Sequence, residues 1–211
     1  MSTTPLTIAV AKGYLWEESK KVFNSLGFEF DTDLDKSRQL YTTDKSGKYR
    51  ILLVRPWDVP TYVEEGAADL GIVGKDVLIE VNATVTELSD LKFGACSLVL
   101  AGPEKIDPSK IPQNTRVATK FWNSTIQHFH KKGLNIHPIK LYGAIELAPF
   151  TGISDYICDL SVTGNTLKAH DLHIIDTIYT STARLIANPA TFSTKYDKIS
   201  AFNTALKQAI S

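Results

Sequence analysis

Cysteine is nearly missing from this chain of 211 residues, which has two, Cys96 and Cys158. Two thiols build neither a disulfide framework nor a four-cysteine zinc site. Both stand in apolar runs, Ala95-Cys96-Ser97-Leu98-Val99-Leu100 and Tyr156-Ile157-Cys158-Asp159-Leu160, and read as buried, reduced thiols. An excess of charge is missing too: Lys plus Arg is 23 and Asp plus Glu is 23. That leaves no basic field for long nucleic acid, although local anion sites survive the averaging. No apolar stretch reaches membrane-spanning length. Met1-Ser2-Thr3-Thr4-Pro5 has neither the basic start nor the apolar core of a secretion signal. Neither a membrane nor nucleic acid is expected as a partner, and the expected location is the cytoplasm. The five histidines lack metal-ligand spacing, and His128 and His130, two apart on a predicted helix, point different ways.

What is present is the composition of an ordinary soluble protein, 43% apolar and 22% charged. Short apolar runs alternate with helical patterns. Leu6–Val10, Arg50–Val54 and Leu70–Gly74 read as buried strands. Between them a helix carries Leu15, Val22, Phe23 and Leu26 on one face and stops at Gly27. A second opens at Asp58 as N-cap with Pro60 in its first turn, and ends at Gly66. A short helix follows from Lys75 to Val81. The rhythm resumes with strands at Cys96–Leu100, Arg116–Thr119, Ile136–Leu141, Tyr156–Leu160, His173–Ile178 and Ala183–Ala187. Helices are predicted at Trp122–Lys132, at Ile145–Phe150 and, with an apolar stripe from Tyr196 to Ile210, at Pro189–Ile210. Gly102–Pro112 reads as a linker or surface loop. Such alternation predicts an α/β protein of mostly parallel sheets flanked by helices, in two lobes. The first lobe spans 1–94 plus 179–211, the second 95–178. Ligands of such folds sit beyond the C-terminal ends of strands, here in the cleft between the lobes.

Three constellations lie at such ends. The first is Asp159-Leu160-Ser161-Val162-Thr163-Gly164-Asn165-Thr166-Leu167, which follows a strand and opens onto a helix. Gly164 permits a tight backbone that converges N–H groups on an anion, Thr163 and Thr166 add hydroxyls, and Asp159 is placed to accept ribose hydroxyls. An ordinary strand–turn–helix connection reads the same way. The second is cationic: Lys12, Arg38, Arg55, Lys75 and Lys120, most of them directly after strands, an arrangement suited to diphosphate or to plain surface solvation. The third is Glu146, flanked by apolar residues, which suits ribose hydroxyls, a magnesium ion or solvent.

These residues carry a resemblance. Glu146 is followed in register by Gly152, Ile157, Asp159, Leu160, Thr163, Gly164, Thr166 and Leu167. Further blocks are Asp58–Glu64, Gly66–Leu78, Arg116–Lys120 and Ala183–Ile186. Together they resemble the short form of the ATP phosphoribosyltransferase family, which opens histidine biosynthesis, from about Leu6 to Asn188. The resemblance implies a two-lobed fold like that of type II periplasmic binding proteins. It implies transfer of phosphoribosyl from phosphoribosyl pyrophosphate (PRPP) to N1 of the adenine of ATP, with Mg2+ carried on the diphosphate. The Thr163–Leu167 loop, Asn165 included, would hold the 5-phosphate and Asp159 the ribose hydroxyls, with Glu146 also binding substrate. Lys12, Arg38 and Arg55 would meet phosphates in catalysis, while Lys75 and Lys120 would bind substrate. Two positions depart from the family pattern: Tyr14 stands in place of Arg, where stacking on adenine is the expected role, and Ala144 in place of Ser. The length implies a homodimer when alone and a hetero-oligomer with a regulatory subunit similar to histidyl-tRNA synthetase. The alternative expectation is a non-enzymatic two-lobed small-molecule receptor or sensor.

Overall fold

The computed structural model describes residues 4–210. The chain starts with β1 (Leu6–Ala11), α1 (Tyr14–Ser25), β2 (Tyr41–Thr43), β3 (Tyr49–Val54), α2 (Val59–Glu64), β4 (Leu70–Gly74), α3 (Lys75–Val81) and β5 (Thr86–Asp90). It continues with β6 (Cys96–Gly102), β7 (Thr115–Thr119), α4 (Trp122–Lys131), β8 (Ile136–Lys140), β9 (Tyr156–Ser161), α5 (Asn165–Ala169) and β10 (His173–Ser181). It closes with β11 (Ala183–Ala187), α6 (Pro189–Thr194) and α7 (Tyr196–Ala209). Two compact units result: the residues up to Gly94 with those from Thr182 onward, and Ala95–Ser181. The expected boundary at 178/179 therefore moves to 181/182. β10 stays in the second sheet to its last residue, where Ser181 still pairs with Cys96.

The sheet orders are β2-β3-β1-β4-β11-β5 in the first unit and β10-β6-β9-β7-β8 in the second. The expected parallel pairing holds at β3-β1-β4 and β9-β7-β8. The remaining pairs are antiparallel, so each sheet is mixed. β2 and β3 form a hairpin within the first unit, and the other antiparallel pairs involve strands of the double passage of the chain between units. One passage joins β5 to β6 and the other β10 to β11. They run in opposite directions and pair with each other in both sheets, β5 with β11 and β6 with β10.

Strand alternation places the first core on two faces. From β1, Leu6, Ile8 and Val10 meet Trp16 and Phe23 of α1 and Ile199, Phe202 and Leu206 of α7. Ala9 and Ala11 point the other way, to Val59 and Val63 of α2 and Val77 and Leu78 of α3. Gly71 on β4 is required by that second face: a Cβ there would lie 2.8 Å from Val63 and 2.9 Å from both Val59 and Ile186. The second unit has its own core of Val99, Ala101, Ala118, Ile145, Ala148, Ile157, Leu167 and Leu172.

Several expectations change in detail. The single terminal helix is two, broken at Lys195 (φ −119°, ψ 28°). Asn188 accepts from Thr191 N–H as the cap of α6 and donates its amide to the Val63 and Glu64 carbonyls. Lys195, at the break, reaches Asp69, whose carboxylate also accepts the Thr7 N–H. Asp58 precedes α2 without a side-chain capping bond. Ile145–Phe150 shortens to a 3-10 turn at Ile145–Leu147. Gly102–Pro112 lies wholly inside the second unit, so it is a loop and not a linker. Cys158 is buried, whereas Cys96 is only partly so. No described helix is long and apolar enough to cross a membrane.

Candidate active site

β9 lies between β6 and β7, with Asp159 opposite Val99 and Ser161 opposite Ser97. The chain then leaves the sheet and turns at Gly164, whose φ of +76° is in the left-handed region that favours glycine. A Cβ there would meet nothing within 4 Å, so the requirement is one of backbone conformation and not of space. α5 starts at Asn165, which puts Thr166 and Leu167 in its first turn. Asn165 N–H donates to Thr163 Oγ1 (3.4 Å) and Lys168 N–H to the Gly164 carbonyl (3.0 Å), which closes the loop on itself. Leu167 is buried in the second core and anchors the turn.

A pocket of about 300 Å3 opens here, lined by Glu146, Asp159 and the run from Ser161 to Leu167. The structure thus brings together Asp159, Thr163, Gly164, Asn165, Thr166, Leu167 and Glu146. Burial pushes the Asp159 carboxyl above the usual carboxylate range, and the negative charge of Glu146 adds to this. The Leu160 N–H, 2.8 Å from Asp159 Oδ1, and the charge of Lys120 pull the other way. Glu146 reaches the pocket because its neighbours Ile145 and Ala148 are buried in the core. The turn begins at Ala144, a non-glycine residue in the left-handed region (φ 49°), which costs about 1–2 kcal/mol and is a common sign of a functional turn. His170 Nε2 lies 4.0 Å from Glu146 Oε1. His170 was not among the expected site residues. The place of His170 one turn beyond the loop was the available signal.

The other candidates belong to the first unit, apart from Lys120, which directly follows β7. Lys12 and Arg55 directly follow β1 and β3, which are parallel neighbours, and the Lys12 N–H donates to the Val54 carbonyl (2.8 Å). Arg38 precedes Leu40, whose carbonyl accepts the Leu53 N–H (2.7 Å), so it approaches the same end of β3. These three cations share one sheet edge. Lys75 follows β4 at that edge, but its ammonium is taken by Glu87 of β5, a carboxylate also contacted by Arg184. A substrate that meets Lys75 there has to compete with Glu87 for its ammonium. Tyr14 is 64% exposed at the first position of α1, just after Gly13 (φ +87°).

Two mixed α/β units joined by a paired double crossing, one with a glycine turn after its central strand, define the type II periplasmic-binding-protein-like class. The alkanesulfonate-binding protein SsuA from Xanthomonas axonopodis pv. citri shares this fold at 13% identity, with a TM-score of 0.62 over 98% of this chain and 73% of that one. A chain of the ATP phosphoribosyl transferase (HisG:HisZ) complex from Thermotoga maritima matches at a TM-score of 0.84 and 35% identity, over 97% of this chain and 98% of that one. The sequence pattern of one family, HisG: ATP phosphoribosyltransferase, matches residues 55–208. The ATP phosphoribosyltransferase of Caldanaerobacter subterraneus subsp. tengcongensis is 44% identical over 205 residues, 97% of each chain. That of Rippkaea orientalis is 45% identical over 210 residues, 98% of this chain and 100% of the relative. The chain belongs to the ATP phosphoribosyltransferase family.

Proposed function

We propose that this chain transfers the phosphoribosyl group of PRPP to N1 of the adenine of ATP, releasing diphosphate, as the first step of histidine biosynthesis in the cytoplasm. Family membership favours this over a solute receptor of the same fold. The observation that carries the site assignment is the single pocket shared by Asp159, Glu146 and the Thr163–Leu167 loop. The loop holds the 5-phosphate with backbone N–H groups and the hydroxyls of Thr163 and Thr166. Asp159 and Glu146 accept the ribose hydroxyls. N1 attacks C1 with its own lone pair as the bond from C1 to the diphosphate oxygen breaks, so bond formation needs no base.

Negative charge grows on the departing diphosphate, and Lys12, Arg38 and Arg55 are the cations we assign to it. Tyr14, beside Lys12, offers a ring face for the adenine. Lys120 acts on the electrostatics of Asp159. Among the described residues no three His, Cys, Asp or Glu side chains form a metal cage. We take Mg2+ to arrive on PRPP, held mainly by phosphate and water oxygens. When bound, it neutralises diphosphate charge. The Thermotoga maritima chain is part of a HisG:HisZ complex, which supports a hetero-oligomer here too; the family resemblance adds a histidyl-tRNA-synthetase-like regulatory subunit as the partner and a homodimer for the chain alone. Calorimetry with PRPP and Mg2+ tests the pocket: saturable binding that is lost on substitution of the loop is expected, and binding indifferent to the loop refutes the assignment.

A further inference from the structure

A second pocket, of about 380 Å3, shares Thr163, Gly164 and Leu167 with the first and continues over Lys105, Lys168, Leu172, His173 and Ile174. The proposed transfer does not use it. Three segments build it. β6 ends at Gly102, opposite His173 at the start of β10, and the following loop carries Lys105. After α5 the chain folds back, with the N–H groups of Leu172 (2.9 Å) and His170 (3.1 Å) both donating to the Leu167 carbonyl. This buries Leu167 and Leu172 in the second core and gives the pocket a fixed apolar floor.

The rim is basic. Lys105, Lys168 and His173 come from three different segments, and among the described residues that line the pocket none is a carboxylate. Elsewhere Lys75, Lys132 and Lys195 each lie on a carboxylate. Two lysines and a histidine thus line one apolar floor, and the imidazole supplies an N–H donor in either protonation state. The volume falls at the small end of the range for small-molecule sites, about 300–1,000 Å3. A bare inorganic ion leaves the floor unused, and a neutral apolar compound leaves the cations unpaired.

We propose that this pocket is a second binding site, for a small organic phosphate whose head meets Lys105, Lys168 and His173 and whose apolar body rests on Leu172 and Ile174. The proposal stands whether or not the neighbouring loop binds PRPP. The probe is phenyl phosphate, titrated into the full chain with isotope-labelled Ile, Leu and Val methyl groups and followed by NMR. Ile174 and Leu172 line only the second pocket, Leu160 and Val162 only the first. The expected result is a saturable shift of Ile174 and Leu172 that is weakened about tenfold in the Lys105→Ala/Lys168→Ala double variant. Both lysines are exposed, and an unchanged spectrum elsewhere reports an intact fold. Inorganic phosphate should bind more weakly than phenyl phosphate, and phenol should not saturate. Shifts confined to Leu160 and Val162, an affinity unchanged in the double variant, or equal binding of inorganic phosphate would each overturn the proposal.

Discussion

Replacing Asp159 with Asn should move binding and stability in opposite directions. The wild-type carboxyl is partly buried, faces Glu146 in the same pocket, and titrates above the usual range chiefly because burial disfavours its charge. A carboxyl whose folded-state pKa is raised binds its proton more tightly in the fold than in the unfolded chain. Its stability contribution is therefore complete below the unfolded value of about 3.9 and is lost as pH rises through the folded value. Above the folded value the ionised Asp159 thus opposes folding. Asn removes that charge, and its amide oxygen still accepts from the Leu160 N–H now bonded at 2.8 Å. Melting at pH 7 should be unchanged or higher. Substrate is the other half of the balance. Hydrogen bonds to a charged partner are worth about 1.5–3 kcal/mol and neutral ones about 0.5–1.5 kcal/mol. Two ribose hydroxyls that lose the charged acceptor should cost about 2 kcal/mol, or roughly 30-fold in PRPP affinity. Calorimetry and thermal melts on one preparation measure both. A variant that melts lower yet binds PRPP as the parent does would refute the reasoning, since Asp159 would then be a structural residue.

Other outcomes follow from the same geometry. Gly164→Val should keep the fold, because no atom stands within 4 Å of the new side chain's root, but should lose PRPP binding by calorimetry as the left-handed turn becomes strained. Arg38→Ala and Arg55→Ala should lower kcat more than they raise KM in steady-state assays, whereas Lys75→Ala, already paired with Glu87, should leave both nearly unchanged. Burial, with Lys132 nearby, lowers the proton affinity of His128 below its ordinary value of 6.5, outweighing Asp176 3.0 Å away. The stability it allows is present above that value and lost as pH falls, so pH-dependent melts should be flatter in His128→Gln just below pH 6.5. In sedimentation the isolated chain should be a dimer that responds weakly to histidine, and a histidyl-tRNA-synthetase-like partner should enlarge it and make it histidine-sensitive.

In the first sheet the central strands were legible from the residues alone. Leu70–Gly74, and Leu6–Val10 but for Thr7, are apolar runs because helices cover both sides of their sheet. β2 and β5 left no such mark. They are the two edges of that sheet, and Tyr-Thr-Thr and Thr-Glu-Leu-Ser-Asp are the polar sequences that edges carry. The partner of Lys75 was hidden for the same reason: Glu87, which pairs with its ammonium, sits on the unread β5. The phosphate-loop candidates were legible because Gly164 and its threonines are contiguous. His170 was not, because its link to Glu146 spans 24 positions and depends on how α5 and the Ile145–Leu147 turn pack. The break at Lys195 was hidden because the apolar stripe of α7 continues the helical period; the tie to Asp69 is a tertiary contact.

The central claim is chemical transfer and not binding alone. The direct test mixes the full chain with ATP, PRPP and Mg2+ and follows adenine absorbance together with released diphosphate. The account predicts one diphosphate per N1-phosphoribosyl-ATP formed, no product when PRPP is omitted, and loss of both signals in Gly164→Val. Tight, saturable PRPP binding with neither product nor diphosphate would contradict it and leave a receptor in place of a transferase.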